Sequence, residues 1–158
     1  MNLTNYTFTM NISKPLWICP KCHRPFANVN QWHSCGHYTV DDFLHNRTDH
    51  TLELFQKFVI TLGKTGPFIY APAKTRIGFQ VRMIFAAINR MGMNSISGHL
   101  ILSQRNESKK FHRIELDIIH HFKICKPDEI DAEFKSLMQE AYEVGRQNHL
   151  HRKKEKSA

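Results

Sequence analysis

Alternation of apolar and polar positions is strongest in the second half of the chain. Between Arg113 and Ile124, Ile114, Leu116, Ile118, His120 and Phe122 occupy every second position. This pattern predicts one long strand with a buried face and a wetter face, on which Arg113, His121 and Lys123 lie together. Shorter runs of apolar or alternating residues predict further strands at 67–71, 75–82 and 96–103, with an apolar continuation at 83–89.

Helical spacing of apolar residues appears on both sides of these strands. The stripe Leu52, Phe55, Val59 and Leu62 predicts a helix over residues 49–62 that Gly63 ends. A second stripe predicts a final helix from Pro127 to about residue 147. Thr39 and Asp42 are spaced as a capping pair for a short helix over residues 40–45.

The order of these elements predicts an α+β fold. Four or five consecutive strands with helices at both ends favour an antiparallel sheet whose helices cover one face. The length of 158 residues and the hydrophobic content of 41% suit a globular chain with a single core. We predict an irregular lead at 1–15, a zinc-binding module at 16–38, an α+β domain at 39–148 and a basic tail at 149–158.

The module owes its name to closely spaced cysteines and histidines. Cys19 and Cys22 form a C-x2-C pair, and His33, Cys35 and His37 follow ten residues later. Zinc binds four nitrogen or sulfur ligands at tetrahedral corners, and two of the three later donors complete such a set. We predict Cys19, Cys22, His33 and Cys35 as the ligands, with His37 as the substitute ligand.

A closed four-ligand site predicts a structural Zn²⁺ rather than a catalytic one. A redox dithiol and unbound cysteines are the alternatives, although the βαβ context of the redox motif is missing. We expect Trp17, Phe26 and Trp32 to form the small hydrophobic core of the module. Cys125, far along the chain, is predicted to be a core thiol.

The charge of the chain bears on its partners. The formal net charge is +8, and half of it falls in residues 146–158. Lys74, Arg76, Gln80 and Arg82 are predicted to share the polar side of one strand, and His121 is the histidine that can join them. This surface is either a solvated sheet face or a binding site for an anion or a nucleic acid.

Three functional hypotheses follow. The first is a zinc-containing binding protein that engages nucleic acid or another acidic partner through its basic face. The alternatives are a sensor or enzyme that holds a small anion with Arg76, Arg82 and a histidine, and a protein-interaction module with structural zinc. No catalytic constellation is recognisable. Without a signal peptide or an apolar run of membrane-spanning length, we expect a cytoplasmic protein with no membrane partner.

Four segments together resemble the bacterial domain-of-unknown-function family 5655. They are WICPKCHRPF at 17–26, NQWHSCG at 30–36, KTRIGFQVR at 74–82 and AYEVGRQNHL at 141–150. The later part of the chain is also similar, more weakly, to YdhG-like small α+β domains, in which helices flank an antiparallel sheet. The resemblance supports the domain boundaries and the zinc module, and it implies neither an activity nor catalytic residues.

Overall fold

Two antiparallel sheets and three α-helices are present in the computed structural model, which describes residues 15–147. The small sheet pairs β1 (Trp17–Ile18) with β2 (Pro25–Phe26), and the helices are α1 (Val40–Leu44), α2 (Asp49–Gly63) and α3 (Ala132–Gly145). The large sheet comprises β3 (Ile69–Pro72), β4 (Ile77–Gln80), β5 (Ile84–Met91), β6 (Ile96–Ile101), β7 (Phe111–Glu115) and β8 (Ile119–Ile124). Apart from Pro15, the predicted lead at 1–15 lies outside the described residues, as does the tail at 149–158.

The large sheet has the strand order β3-β4-β5-β6-β8-β7, and every neighbouring pair is antiparallel. The predicted α+β class is therefore confirmed, with six strands in this sheet instead of the expected four or five. Strand β8 lies between β6 and β7, so two strands that follow one another in the chain are not paired in the sheet.

Helices α2 and α3 cover one face of this sheet, called here the inner face. The ring of Phe58 in α2 lies 5.5 Å from the rings of both Phe79 in β4 and Phe122 in β8. Phe134 of α3 packs at 5.2 Å on Phe122. All four side chains are buried, so this aromatic cluster joins both helices to the middle of the sheet.

Local side-chain contacts fix where the helices begin. Thr39 and Asp42 form the predicted capping box of α1, with bonds of 2.8 and 3.1 Å between side chain and backbone. The final helix begins later than predicted. A 3-10 turn occupies Pro127–Glu129, and the Asp131 carboxylate accepts the backbone N–H of Phe134 at 3.0 Å, which starts α3.

The prediction of one strand from Arg113 to Ile124 is wrong, because the segment is a hairpin of β7 and β8. Leu116 and Asp117 adopt positive φ angles of 52° and 60° in its turn. Leu116 is 81% exposed and Ile118 is also exposed, against the expectation that both are buried. The alternation continues through the turn because Arg113 pairs with His121 across it, and paired residues point to the same face.

Candidate functional site

The two cysteines of the C-x2-C pair lie in a tight turn between β1 and β2. The Cys19 N–H donates to the Arg24 carbonyl at 3.0 Å, and the His23 N–H donates to the Cys19 carbonyl at 2.9 Å. His23 has a φ of 59°, in the left-handed region, so the chain reverses directly after Cys22. This turn brings both sulfur atoms to the same side of the module.

His33 and Cys35 complete a cluster with these sulfurs. The four ligand atoms all lie within 4.8 Å of one another. The Sγ atoms of Cys19 and Cys35 are 3.7 Å apart, and Cys22 Sγ lies 3.3 Å from His33 Nε2. Zinc–sulfur bonds of about 2.3 Å give a tetrahedral edge of about 3.8 Å between sulfurs. The cluster could therefore hold a metal ion.

The histidine ring is oriented by contacts on its other side. His33 Nδ1 donates to the Gln31 carbonyl at 2.7 Å, which directs Nε2 toward the thiols. Metal-ligating histidines are commonly fixed in this way by a backbone carbonyl. The Phe26 ring lies 4.3 Å from the imidazole and holds it in place from the side.

Backbone amides in the turn favour the anionic sulfur that metal binding requires. The N–H of Cys22 lowers the pKa of the Cys19 thiol to about 6, with help from the N–H of Lys21. Burial raises the pKa of Cys35 to about 11, and the neighbouring thiols act in the same direction. The hydrogen bond to Gln31 raises the pKa of His33. Without a cation, the raised pKa of Cys35 therefore opposes ionisation of all three thiols together.

The two remaining donors of the sequence analysis lie apart from this cluster. Within residues 15–147, His37 is not among the grouped metal-ligating side chains, and its ring packs 6.5 Å from Tyr38. Cys125 follows β8 and also lies outside the cluster. The structure thus groups the four residues preferred from the sequence and leaves out the substitute.

The hydrophobic core of the module is smaller than predicted. Trp17 and Phe26 pack together with ring centroids 6.0 Å apart, and Phe26 is buried. Trp32 is 90% exposed, so its assignment to the core is wrong. It lies next to His33 in the sequence, but it projects away from the small core that Trp17 and Phe26 form.

The module packs against the face of the large sheet that the helices leave open, called here the outer face. Gln80 of β4 is 2% exposed and donates its side-chain amide to the Pro25 carbonyl. The prediction of Gln80 as an anion-binding residue is therefore not supported, because its amide nitrogen already has a partner. The residue instead connects the two parts of the fold.

Arg82 is also removed from the predicted basic face. Strand β4 ends at Gln80, and a register shift between Phe79 and Gln80 breaks the alternation. Arg82 Nε donates to Gln147 Oε1 at 3.0 Å, and its backbone N–H donates to Gly145 at the end of α3. Lys74 and Arg76 of the predicted set remain at the outer face.

These two residues line a groove between the module and strands β3 to β5. The groove encloses about 350 Å³, and its polar rim includes Arg24, Lys74 and Arg76. The exposed ring of Trp32 also lines the groove. Among residues 15–147, no carboxylate lines the groove. The groove therefore combines three cationic side chains with an aromatic ring.

A second cavity of about 370 Å³, called here the histidine pocket, lies beside this groove on the outer face. His121 lines it, as does Arg76, and His99 is the register partner of His121. The two imidazole centroids are 5.7 Å apart. Asn89 Nδ2 lies 3.0 Å from His99 Nδ1, and His121 Nε2 lies 3.0 Å from Glu115 Oε2.

Three residues of this pocket, Asn89, His99 and Glu115, are missing from the sequence-based candidates. In the predicted strand at 96–103, His99 shares a face with Ser97 and Ile101. A histidine on the face that carries Ser97 is the one local signal that could have indicated this residue. Burial lowers the pKa of His99 to about 4, and the charges of His121 and Arg76 act in the same direction. The place of His99 in the pocket depends on His121, which the pairing of β6 with β8 brings beside it.

The family model described as Domain of unknown function (DUF5655) matches residues 40–145. The chain belongs to this family. The matched DUF5655 region contains the large sheet and its three helices, whereas the metal-ligand cluster precedes it. The resemblance expected from residue 17 onward is therefore shown only from residue 40.

No curated protein and no solved structure matches the chain. The similarity of the DUF5655 region to YdhG-like domains stays a prediction. Within the described part of the chain, no helix is long and apolar enough to cross a membrane.

Proposed function

We propose that this DUF5655 protein uses a structural zinc ion to present a binding groove for single-stranded nucleic acid. The observation that carries the proposal is Trp32, which is 90% exposed in a groove that also contains Arg24, Lys74 and Arg76. Exposed aromatic rings beside a positively charged track are the usual means of holding an unpaired strand.

The donor set favours zinc as the ion. Three thiolates and one imidazole are soft and borderline ligands, which suit Zn²⁺ better than the oxygen-preferring Mg²⁺ or Ca²⁺. Four protein ligands fill a tetrahedral shell, so the ion would have a structural role. Its positive charge would also stabilise the Cys35 thiolate, which burial disfavours.

The ion would determine the position of the proposed stacking residue. Trp32 lies between Gln31 and His33 in the chain, and the Gln31 carbonyl accepts the hydrogen of His33 Nδ1. Arg24 lies two residues beyond Cys22 and places its guanidinium carbon 5.3 Å from the Phe26 ring centroid. Metal ligation at Cys22 and His33 would thus order the segments that carry both groove residues.

The groove is suited to a strand whose bases are accessible. Every base has a planar face that can stack on Trp32, so stacking requires no particular sequence. Arg24, Lys74 and Arg76 would contact the phosphates, which position a strand but do not read its bases. We therefore expect weak sequence preference and a strong dependence of affinity on salt.

Fluorescence anisotropy with labelled single-stranded DNA and RNA tests the proposal on the zinc-loaded full chain. Trp32→Ala should weaken binding about tenfold, since base stacking contributes roughly 1–3 kcal/mol. Val29→Ala is the matched control, because Val29 is 71% exposed in the same module but does not line the groove. It should leave the affinity unchanged.

Charge is tested separately with Lys74→Gln. This variant should weaken binding and reduce the slope of log affinity against log salt by about 1. Lys135→Gln is the control, because Lys135 is exposed on α3, on the helical side of the sheet. Absence of binding at low ionic strength, or equal losses in Trp32→Ala and Val29→Ala, would overturn the proposal. Elemental analysis should give about one zinc per chain.

A further inference from the structure

Two histidines lie side by side on the outer face of the sheet, His99 in β6 and His121 in β8. Gly78, Ala87, His99 and His121 are successive register partners across β4, β5, β6 and β8. Along this row, His121 and His99 carry imidazole rings, Ala87 carries a methyl group, and Gly78 has no side chain. The two imidazoles line the histidine pocket, as do Ile84 of β5 and Arg76, which directly precedes β4.

Hydrogen bonds give this pocket a defined polar side. His99 is 8% exposed, and its Nδ1 accepts from the Asn89 amide nitrogen at 3.0 Å. The Asn89 Oδ1 atom is buried without a hydrogen-bond partner among the described residues. With Nδ1 as acceptor, the ring hydrogen of neutral His99 is on Nε2 and remains available for donation.

The charges in the pocket leave one cation without a counter-ion. Glu115 Oε2 is 3.0 Å from His121 Nε2 and 3.1 Å from Arg113 Nη2, so its negative charge is already engaged. The hydrogen bond from His121 lowers the pKa of Glu115, and the Arg113 charge adds to this effect. The guanidinium of Arg76 has no ion pair and no side-chain hydrogen bond within residues 15–147. A forked guanidinium of this kind suits a phosphate or carboxylate group.

The remaining walls are apolar and indicate a ligand larger than an inorganic ion. Ile84, Ile101 and Ile119 line the pocket, and Ile101 and Ile119 are register partners. A volume of about 370 Å³ lies within the usual range for small-molecule sites. Arg76 and Ile84 also line the Trp32 groove, so the two cavities share an edge.

We propose that the histidine pocket binds one nucleoside monophosphate unit, with its phosphate on Arg76 and its base against the isoleucines. The unit is either a free mononucleotide or the terminal nucleotide of a strand in the adjacent groove, and the second source rests on the proposed function. His99 Nε2 donates to the ligand from the buried side, which makes His99 a specificity-determining residue.

Titration of the full, zinc-loaded chain with AMP and CMP tests this site, with NMR signals of the histidine rings as the readout. Both nucleotides should shift the His99 and His121 signals at millimolar concentrations, whereas adenosine and inorganic phosphate should bind at least about tenfold more weakly. His99→Gln should weaken nucleotide binding about tenfold. His45→Gln, at an exposed position after α1 that does not line the pocket, should not.

The variants separate this inference from the proposed function. If the pocket binds mononucleotides, Trp32→Ala should leave their affinity unchanged, since Trp32 does not line it. Strand binding that depends on Trp32, with no effect of mononucleotides on either histidine signal, would leave the groove standing and overturn the pocket. Equal binding of phosphate and AMP would also overturn it, because no base would then be recognised. Mononucleotide binding without strand binding would support the pocket and overturn the groove.

A terminally phosphorylated oligonucleotide distinguishes the two sources. If the pocket receives strand ends, a terminal phosphate should strengthen oligonucleotide binding in the wild type, and His99→Gln should abolish that gain. If phosphorylation changes nothing while AMP still binds, the ligand is the free mononucleotide, and the pocket assignment is retained for that source.

Discussion

Gln80 donates its side-chain amide to the backbone carbonyl of Pro25, which lies 55 residues earlier in the chain. The bond connects the strand β4 to the strand β2 of the cysteine–histidine module. Gln80 is 2% exposed, and Pro25 is partly buried. Losing a buried donor leaves its acceptor unsatisfied, and this cost exceeds the net contribution of an average hydrogen bond.

Gln80→Met should therefore loosen the attachment of the module. The substitution keeps much of the side-chain volume and removes the donor. It also removes Gln80 Oε1, which is buried without a partner among the described residues and offsets part of the cost, so we expect stability to fall by about 1 kcal/mol. Hydrogen exchange should increase for amides in residues 17–35. Gln104→Met, at an exposed position, is the control. Unchanged exchange in the module would show that Gln80 does not hold it.

Metal removal should affect the module before the rest of the chain. Chelation, or Cys19→Ser, should release about one equivalent of zinc and loosen residues 17–37, because ligand binding and folding are coupled at such sites. Residues 49–147 should stay folded, since their aromatic core does not contact the ligands. Cys125→Ser should keep the metal. Hydrogen exchange with mass spectrometry checks each region, and joint unfolding of the whole chain would contradict the division into two parts.

His99 should make stability depend on acidity. Burial lowers the pKa of His99 to about 4, from an unfolded value of 6.5. Below pH 6.5 the unfolded chain therefore binds a proton that the folded chain does not, and stability falls as the pH drops toward 4. The expected loss is about 2 kcal/mol between pH 7 and pH 5.

Urea unfolding at these two pH values measures the effect. His99→Gln should reduce the difference in unfolding free energy by about that amount, whereas the exposed His112→Gln should not. Because the comparison is between variants at the same pH, acid-induced loss of the metal contributes equally to both. An unchanged pH dependence in His99→Gln would show that this imidazole is not the group responsible.

Gly98 should not tolerate a side chain. A Cβ atom at this position would overlap the Ala87 carbonyl of β5 and the Phe122 ring of β8. The carbonyl belongs to the neighbouring strand and cannot move independently, so Gly98→Ala should destabilise the fold by about 3 kcal/mol. Gly63→Ala, at the open end of α2, should be neutral or slightly stabilising. Thermal or urea unfolding distinguishes the two.

Leu116 is a site where a substitution should stabilise the protein. Its φ of 52° is unfavourable for a leucine, and its side chain is 81% exposed, so no packing compensates. Leu116→Asn should raise the free energy of unfolding by about 0.5–1 kcal/mol, because asparagine tolerates this conformation better. Leu116→Ala should give no such gain. A destabilised Leu116→Asn variant would contradict the strained turn.

The hairpin shows what alternation can and cannot predict. The odd-numbered residues Arg113, Glu115 and His121 share a face both in one continuous strand and in the hairpin, because Arg113 and His121 are paired across it. The pattern therefore predicted the shared face correctly and hid the turn. Asp117 is the one turn-forming residue there, and the apolar residues Leu116 and Ile118 on either side of it hid the signal.

The metal-ligand cluster could be predicted because its members are close in the chain. A tight turn brings Cys19 and Cys22 together, and His33 and Cys35 return within one short segment. Few alternative geometries exist over such distances. The amphipathic stripes of α2 and α3 likewise depend on local spacing, so the sequence was sufficient to define the α+β class and the candidate donors.

The outer-face sites depend on strand neighbours instead. His99 meets His121 because β8 inserts between β6 and β7, an order that no periodicity encodes. Arg82 leaves the basic face because a register shift ends the alternation before it, and Gln80 is covered by a module that precedes it in the chain. Side-chain periodicity determines which face of a strand is buried, but only the pairing of strands and the docking of the module decide which polar residues meet there.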